Sequence, residues 1–244
     1  MKRKKAIIIA ISILTILFFS LGLFIGLIIN KKEEMNSKKN MPETTCIEKK
    51  TKTLEEIRKY ENIVFLGDSI TDYFPTDEIF LNLPIVNSGV AGYKTEDIIK
   101  ELDTLVYQYN PTSVYLLIGT NDFMIESDDN QIDKVEHNIV EIVENIKKNR
   151  KNTKIYIESI YPVNKSIRPE SVADRDNEEI IEVNKFLKIY CKQNNYIYID
   201  MYKYLADSEG NLYKKYTNDG LHANEIGYGR ISQVLLEYLY DIDV

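Results

Sequence analysis

A serine follows the first strongly apolar run of the soluble part of the chain, in the segment Gly67-Asp68-Ser69-Ile70-Thr71. The run before it, Ile63-Val64-Phe65-Leu66, is rich in β-branched and aromatic residues, which predicts a buried strand of a parallel sheet. Residues that follow such a strand lie at its carboxyl end, where open α/β sheets hold their binding crevices. Ser69 is therefore a candidate nucleophile, provided that the chain also supplies a base, an orienting acid and donors for developing negative charge.

Three further blocks follow predicted strands or precede the last helix, and all fall on the rim that carries Ser69: Asn87-Ser88-Gly89-Val90-Ala91-Gly92, Gly119-Thr120-Asn121-Asp122 and Asp219-Gly220-Leu221-His222. Gly89 lets the backbone approach a ligand closely and present its N–H, because no Cβ stands in the way. Asn121 offers a side-chain amide donor. Asp219 and His222 are three residues apart, so the carboxylate can hold one ring nitrogen while the other faces the serine.

The composition narrows the choice of base and of chemistry. The chain has only two histidines, and His137 lies inside an amphipathic stretch where a solvent-facing or structural role is expected, which leaves His222. This scarcity argues against a multi-histidine metal site. Two cysteines, Cys46 and Cys191, are too few for a disulfide framework or a thiolate metal cage and are expected to be free. The net charge of −7 argues against a nucleic-acid partner.

Strand and helix signals alternate along the chain after a short predicted helix at Leu54–Tyr60. The predicted strands are Ile63–Leu66, Ile85–Asn87, Ser113–Ile118, Lys154–Ser159 and Tyr196–Ile199. The predicted helices between and after them are Thr95–Tyr107, Ile132–Lys148, Asn177–Gln193 and Glu225–Tyr240. Five strands alternating with helices predict one α/β domain, a three-layer α/β/α sandwich around a mostly parallel sheet.

The amino terminus has the pattern of a membrane anchor. Residues 1–5 are a short basic tail, and the uncharged apolar stretch from Ala6 to Ile29 reaches about 36 Å as a helix, enough to cross the hydrocarbon core. It is longer than the apolar region of a cleaved signal peptide and lacks an A-x-A-like site. We therefore predict a single-pass anchor at 6–29, a polar linker at 30–53 and a catalytic domain at 54–244, outside the cell.

The four blocks, in this order, resemble the SGNH or GDSL-type esterase and acylhydrolase family over roughly Asn62 to Tyr240. Ile70 stands where that family usually has leucine, and Ala223 where proline is common, and neither departure touches the chemistry. The resemblance implies the flavodoxin-like fold of these hydrolases, with five mostly parallel strands. It also implies that no metal and no organic cofactor take part.

The resemblance also assigns roles to the candidate residues. Ser69 would be the nucleophile, His222 the general base and later the general acid, and Asp219 the carboxylate that orients the imidazole. The oxyanion hole would consist of the backbone N–H groups of Ser69 and Gly89 and the side chain of Asn121. The implied reaction is a two-step ester hydrolysis through an acyl-serine. Asp68 and Asp122, also within the blocks, are expected to shape their loops through hydrogen bonds.

The substrate is left open between classes. The first hypothesis is a cell-surface esterase that removes acetyl or other short acyl groups from an envelope carbohydrate. The second is a lysophospholipase or short-chain lipid esterase, which a membrane tether would also serve. An acyltransferase that uses the same serine and a non-catalytic glycan-binding relative are further alternatives. The loops Phe123–Gln131, Val163–Asp176 and Met201–Asn218 would decide between them, and the sequence does not indicate an oligomeric state.

Overall fold

The computed structural model describes residues 53, 55–56, 61–124 and 130–240. The predicted anchor at 6–29 lies outside the described residues, as do the linker and the Leu54–Tyr60 helix apart from single positions. All the described elements belong to the unit Lys50–Val244. In the described part of the chain, no helix combines the length and the apolarity that a membrane span requires.

Five parallel strands form one sheet, which confirms the predicted sheet. The strands are β1 (Ile63–Gly67), β2 (Ile85–Gly89), β3 (Ser113–Leu117), β4 (Lys154–Glu158) and β5 (Ile197–Ile199), each within two residues of its predicted bounds. Their spatial order is β2-β1-β3-β4-β5, and every neighbouring pair is parallel. This is the flavodoxin-like order, in which the crevice lies at the carboxyl ends of β1 and its neighbours, where the strand order reverses.

The described helices are α1 (Ser69–Asp72), α2 (Thr76–Ile79), α3 (Thr95–Lys100), α4 (Leu102–Leu105), α5 (Gln131–Asn149), α6 (Pro169–Val172), α7 (Asn177–Asn194), α8 (Tyr202–Leu205) and α9 (Glu225–Leu239). Short 3₁₀ helices span Tyr107–Tyr109, Thr120–Met124 and Lys214–Tyr216. The three long helices α5, α7 and α9 begin and end within one residue of their predicted bounds.

Alternate side chains of each strand point to opposite faces of the sheet and build two separate cores. On β1, Val64 and Leu66 pack in the core beneath α3, α4, α5 and α7, whereas Ile63 and Phe65 pack in the core beneath α1, α2, α8 and α9. All four side chains are at most 2 % exposed. The central strand is therefore buried on both faces, which explains its continuous apolar run and completes the three layers.

The predicted helix Thr95–Tyr107 is wrong as a single element. The helical backbone breaks at Glu101, with φ −112° and ψ 14°, so that α3 and α4 are separate and a 3₁₀ turn follows. Ile98, Leu102 and Val106 nevertheless stay buried in the same core. Because the break preserves the spacing of the apolar residues, it leaves no trace in the periodicity from which one helix was predicted.

Candidate active site

Ser69 stands where the central strand passes into a helix. It is the first residue of α1, two positions after the last residue of β1, and only 6 % of it is exposed. Asp68 caps the helix, because its Oδ1 accepts a hydrogen bond from the N–H of Ile70 at 2.9 Å. The hydroxyl of Tyr228 in α9 donates to the Ile70 carbonyl at 2.9 Å and ties α1 down. As the first helical residue, Ser69 has a backbone N–H with no acceptor inside the helix.

Ser69, His222 and Asp219 form a continuous hydrogen-bonded chain. The Oγ of Ser69 lies 2.9 Å from Nε2 of His222, and Nδ1 of His222 lies 2.7 Å from Oδ2 of Asp219. The serine and the histidine are 153 positions apart in the sequence, so the fold itself brings them together. In this arrangement the imidazole can take the serine proton on one nitrogen while the carboxylate holds the other.

A tight turn before α9 holds the carboxylate and the imidazole in register. The second oxygen of Asp219, Oδ1, accepts from the N–H groups of Leu221 and His222 at 2.9 and 2.8 Å. Gly220, within the turn, has φ +85°, and a Cβ there would lie 2.2 Å from the carbonyl oxygen of Asn164. Glycine is therefore required at this position, and the turn orients the His222 ring before any substrate binds.

The electrostatics of Asp219 suit it to stabilise a charged imidazole. Burial raises the pKa of this carboxyl, but hydrogen bonds from the His222 ring and from the backbone N–H groups of Leu221 and His222 outweigh that effect. The net result is a pKa below the ordinary value for aspartate. Asp219 therefore stays ionised while the imidazolium forms.

Gly89 lies at the end of β2, paired with Gly67 of β1. A Cβ at Gly89 would lie 2.1 Å from the backbone nitrogen of Asp72, so only glycine lets β2 approach α1 this closely. Its N–H donates to Oδ1 of Asn87 at 3.0 Å, and the Asn87 amide donates in turn to the carbonyls of Thr71 and Phe74. The N–H of Gly89 is thus at the expected rim but engaged, and to serve an oxyanion it must share or release this bond.

Asn121 lies in the 3₁₀ turn after β3 and is 3 % exposed. Its Nδ2 donates to the carbonyl of Tyr93 at 3.0 Å, and its Oδ1 accepts from Nη2 of Arg175 at 2.7 Å. A carboxamide nitrogen carries two hydrogens, so one donor is left for a bound group. Asn121 can therefore take part in an oxyanion hole without giving up either of its present bonds.

Asp122 shapes the same loop, as predicted from its position in the block. Its two carboxylate oxygens accept from the hydroxyl and the N–H of Thr95, at 2.6 and 3.1 Å. Asn138 of α5 donates to the Thr95 hydroxyl at 2.8 Å and extends the network. Burial raises the pKa of Asp122 more than these hydrogen bonds lower it. The network joins the Asn121 loop to α3 and α5.

The second histidine and the described cysteine are not part of this site. His137 is exposed on α5, the orientation expected for a solvent-facing residue. Cys191 is a buried free thiol in α7, and burial raises its pKa to about 12, whereas Cys46 lies outside the described residues. Over residues 61–124 and 130–240, no three His, Cys, Asp or Glu side chains are grouped as metal ligands would be.

Two residues at the site were not predicted. The ring of Tyr73 lies 5.3 Å from the His222 ring, centroid to centroid, and this tyrosine is 54 % exposed. It follows Ser69 by four positions, the spacing of neighbours on one helix face, and this signal was available in the sequence. Arg175 contacts Asn121 from 54 positions away, and no local pattern indicates such a contact.

Comparison with known proteins places this geometry in a family. The family model of the GDSL-like lipase/acylhydrolase family matches residues 65–230. An N-acylneuraminate cytidylyltransferase from Escherichia coli is 32 % identical over 187 residues, which cover 75 % of this chain and 41 % of that protein. The chain thus spans about two fifths of the length of this curated relative.

Solved structures share the fold over most of their length. A Streptococcus pneumoniae protein assigned to platelet activating factor is 28 % identical, with a TM-score of 0.68 over 91 % of this chain and 99 % of that one. A GDSL-like lipase from Bacteroides thetaiotaomicron is 22 % identical, with a TM-score of 0.67 over 76 % and 90 %. An acetylxylan esterase mutant from Geobacillus stearothermophilus is 18 % identical, with a TM-score of 0.57 over 74 % and 94 %. The last two likenesses concern the fold alone.

Proposed function

Because the chain belongs to the GDSL-like lipase/acylhydrolase family, and is therefore a carboxylic ester hydrolase, we propose that it removes acetyl or other short acyl groups from an envelope carbohydrate. The observation that carries the mechanism is the hydrogen-bonded chain from Ser69 Oγ through the imidazole of His222 to Asp219. Because a nucleophile, a base and an orienting acid lie within hydrogen-bond reach, Ser69 can be acylated and deacylated without a cofactor.

The first step forms an acyl-serine. The Oγ of Ser69 attacks the ester carbonyl carbon while its proton passes to Nε2 of His222, and Asp219 stabilises the resulting imidazolium. The tetrahedral intermediate collapses, the C–O bond to the alcohol breaks, and the alcohol leaves with the proton from His222. Water then enters, gives one proton to His222 and attacks the acyl carbon. The bond between the acyl carbon and Oγ breaks, Oγ takes the proton back from His222, and the carboxylic acid is released.

The negative charge of the tetrahedral intermediate would be held by three donors. These are the N–H of Ser69 at the start of α1, the second Nδ2 hydrogen of Asn121, and the N–H of Gly89 once it shares its bond to Asn87. Preorganised donors of this kind act at the moment when charge develops on the oxygen, and each is worth roughly 2.7–4 kcal/mol of barrier.

A groove beside His222 supports a carbohydrate as the alcohol part of the substrate. Its volume is about 540 Å³, and its lining combines aromatic and aliphatic surface with amide and carboxylate groups: Tyr73, Pro75, Asn218, Ala223, Asn224, Glu225, Ile226 and Tyr228. Aromatic faces beside polar groups suit a sugar ring, which presents both C–H and O–H surface. The name of the Escherichia coli relative also refers to a sugar.

We further propose that the apolar segment at 6–29 anchors the chain in the cell membrane, with the hydrolase domain outside. The support is the length of this uncharged segment and the short basic tail before it. Protease added to intact cells should then remove the hydrolase domain and leave a membrane-bound fragment. Protection of the domain until the membrane is broken would contradict this orientation.

An ester panel tests the proposed function. Acetyl, butyryl and octanoyl p-nitrophenyl esters are assayed with the full chain in detergent, and acetate release is measured from purified cell-envelope carbohydrate. We expect the acetyl ester to be hydrolysed fastest and acetate to be released. Ser69→Ala should lower kcat by about 10⁶-fold, and His222→Ala should lower it nearly as much. His137→Ala is the matched control for the histidine change and should leave kcat unaltered.

The same panel decides on a second candidate, a short-chain lipid esterase or lysophospholipase. The Streptococcus pneumoniae structure, assigned to platelet activating factor, favours it. Preference for octanoyl esters, or fatty-acid release from lysophospholipid with no acetate from the envelope carbohydrate, would replace the carbohydrate proposal with this one. Ester formation with an added alcohol that exceeds hydrolysis would indicate a transferase instead.

A further inference from the structure

A guanidinium group is buried directly behind the oxyanion donor Asn121. Arg175, in the segment between α6 and α7, is 2 % exposed. Its Nε donates to the carbonyl of Thr120 at 2.9 Å, and its Nη2 donates to Oδ1 of Asn121 at 2.7 Å. Its Nη1 donates to the carbonyls of Val172 at 2.9 Å and Ser171 at 3.5 Å. The Arg175 side chain thus donates hydrogen bonds to Thr120 and Asn121, two successive residues of the loop after β3.

Burial of the charged Arg175 side chain costs free energy, because the guanidinium loses its contact with water. A buried cation is stable only when its donors are satisfied, and here every acceptor is a carbonyl or amide oxygen rather than a carboxylate. The buried Asp68 lies within electrostatic range, but burial raises its pKa to about 7, against the opposing effect of Arg175. Near neutral pH the guanidinium charge is therefore only partly compensated, and it lies one hydrogen bond from Asn121.

The contacts of Asn121 fix the orientation of its carboxamide. A guanidinium only donates hydrogen bonds, so the group that faces Arg175 must be Oδ1. The carbonyl of Tyr93 only accepts, so the group that faces it must be Nδ2. The two partners therefore exclude the flipped amide, in which Arg175 would meet an N–H and Tyr93 an oxygen.

We propose that Arg175 is a positioning residue for ester hydrolysis, which holds Asn121 with its nitrogen toward the crevice and strengthens it as a donor to the oxyanion. Withdrawal of electron density from Oδ1 by the guanidinium makes the Nδ2 hydrogens more positive. The proposal rests on the proposed function, because it takes Asn121 as an oxyanion donor. It adds to that function a residue that touches neither the substrate nor the triad.

A specific kinetic consequence follows. The carbonyl oxygen of a bound ester carries little charge, whereas the tetrahedral intermediate carries a full negative charge. A field that acts through Asn121 is therefore felt mainly in the transition state. Loss of Arg175 should lower kcat and leave KM nearly unchanged, which distinguishes it from a residue that only shapes the substrate groove.

The decisive test is a double-mutant cycle with Asn121. Arg175→Lys and Arg175→Gln are measured in the wild-type and in the Asn121→Ala background, with active sites counted by titration with a sulfonyl fluoride. The matched control is Arg150→Lys, because Arg150 also donates to backbone carbonyls, of Tyr107 and Asn149, but outside the site. Circular dichroism and the unfolding midpoint show that each variant is folded.

We expect Arg175→Gln to lower kcat about 10- to 100-fold, Arg175→Lys to lower it less, and Arg150→Lys to leave it unchanged. In the Asn121→Ala background the same Arg175 substitutions should lower kcat by less than about threefold, because interacting residues are not additive. Equal losses in both backgrounds, or a loss that appears only in KM, would overturn the proposal. If Ser69→Ala is also active, the proposed function has failed, whereas an inactive Ser69→Ala with additive Arg175 effects overturns this inference alone.

A second measurement does not need a folded Arg175 variant. Asn121→Asp places a carboxyl at the guanidinium, and its free energy of unfolding is compared with that of Asn121→Ala between pH 2 and pH 7, a range that includes the ordinary aspartate pKa of about 3.9. If Arg175 holds this position, it lowers the pKa of the introduced carboxyl, and the stability of Asn121→Asp relative to Asn121→Ala rises with pH. A relative stability that falls with pH would mean an unpaired buried carboxylate and would also overturn the proposal.

Discussion

Two parts of the proposed active site differ in how their functional side chains are held. The triad arm, Asp219–His222, is a four-residue turn whose internal hydrogen bonds join residues no more than three positions apart. Its Asp219 and His222 side chains are 21 % and 28 % exposed. The oxyanion arm comprises Asn87–Gly89, in which Asn87 and Gly89 are half-buried, and Asn121, which is 3 % exposed. Apart from the local bond between the Gly89 N–H and Asn87, the side chains of Asn87 and Asn121 are held by bonds that span 13 to 54 positions, the longest from Arg175.

This difference indicates where catalysis and stability can be separated. The hydrogen bonds of the Asp219 carboxylate all lie within residues 217–222, so a change to this carboxylate can remove a proposed catalytic group with little effect on the layers beneath it. In the oxyanion arm, Asn87 donates hydrogen bonds to the carbonyls of Thr71 in α1 and of Phe74. Asp122, next to Asn121, is bonded to Thr95 of α3, which is bonded in turn to Asn138 of α5. A change in that arm is therefore expected to alter the activity and the free energy of unfolding together.

Of the changes that compare the two arms, the largest effect is expected from Asp219→Asn in the triad arm. An amide at this position retains the shape but lets the imidazole adopt the wrong tautomer and no longer stabilises its charged form, so kcat should fall by about 10⁴-fold. The measurement is kcat on the acetyl ester, with the urea midpoint of unfolding beside it. The turn is partly exposed, so the midpoint should fall only by the contribution that the lowered pKa of Asp219 makes to stability at neutral pH. A large loss of stability with activity retained would contradict the separation of the two arms.

A smaller loss of activity, joined to a loss of stability, is expected from Asn121→Ala. Removal of one oxyanion donor should lower kcat by about 10²- to 10³-fold. The substitution also leaves an Nη2 hydrogen of Arg175 without its amide acceptor, which costs about 1–3 kcal/mol of unfolding free energy. Steady-state kinetics and urea unfolding at pH 7 check both parts.

The matched control for this variant is Asn149→Ala. Asn149 lies at the end of α5 and donates to Asn145 and to the Tyr107 hydroxyl at exposed positions. Its removal should change neither kcat nor, by more than about 0.5 kcal/mol, the stability. An Asn121→Ala variant as stable as this control would show that the oxyanion arm is as separable as the triad arm.

The same contrast explains what the sequence could predict. The strands, the long helices and the Asp219-to-His222 spacing are local patterns, and each was predicted within two residues of where it lies. The alternation of strands and helices predicted the parallel sheet, whereas its flavodoxin-like order was implied by the family resemblance and is confirmed by the observed strand order. The Ser69–His222 contact was predicted because both residues belong to the ends of elements that meet at one rim.

The rest depends on contacts that local patterns do not encode. Arg175 belongs to no element of regular structure, and its bond to Asn121 exists only once α6 and the β3 loop are packed. The break at Glu101 keeps the apolar period, so periodicity alone predicts one helix.

Asp219 and Glu158 have pKa values that are shifted in opposite directions. Their contributions to the free energy of unfolding therefore change with pH in opposite senses. Hydrogen bonds outweigh burial at Asp219 and lower its pKa, so its contribution to stability is present above the ordinary aspartate pKa and is lost as the pH falls. Glu158, at the end of β4, is 5 % exposed and accepts a hydrogen bond from Tyr161 at 2.6 Å. Burial raises its pKa from 4.5 to about 7, with the Tyr161 bond opposing.

The wild-type protein should become less stable as the pH rises toward neutrality, because of Glu158. In Glu158→Gln this decrease should be absent. Between pH 4.5 and 7 the folded protein retains a proton on Glu158 that the unfolded chain releases, so the unfolding free energy falls as the pH rises through this range. The amide remains neutral and can accept the same bond from Tyr161. Relative to the wild type, the variant should gain up to about 3 kcal/mol between pH 4 and 8, measured by urea unfolding. Glu144→Gln is the control, since this exposed glutamate also accepts from a tyrosine hydroxyl but is not buried, and a gain of the same size there would refute burial as the cause.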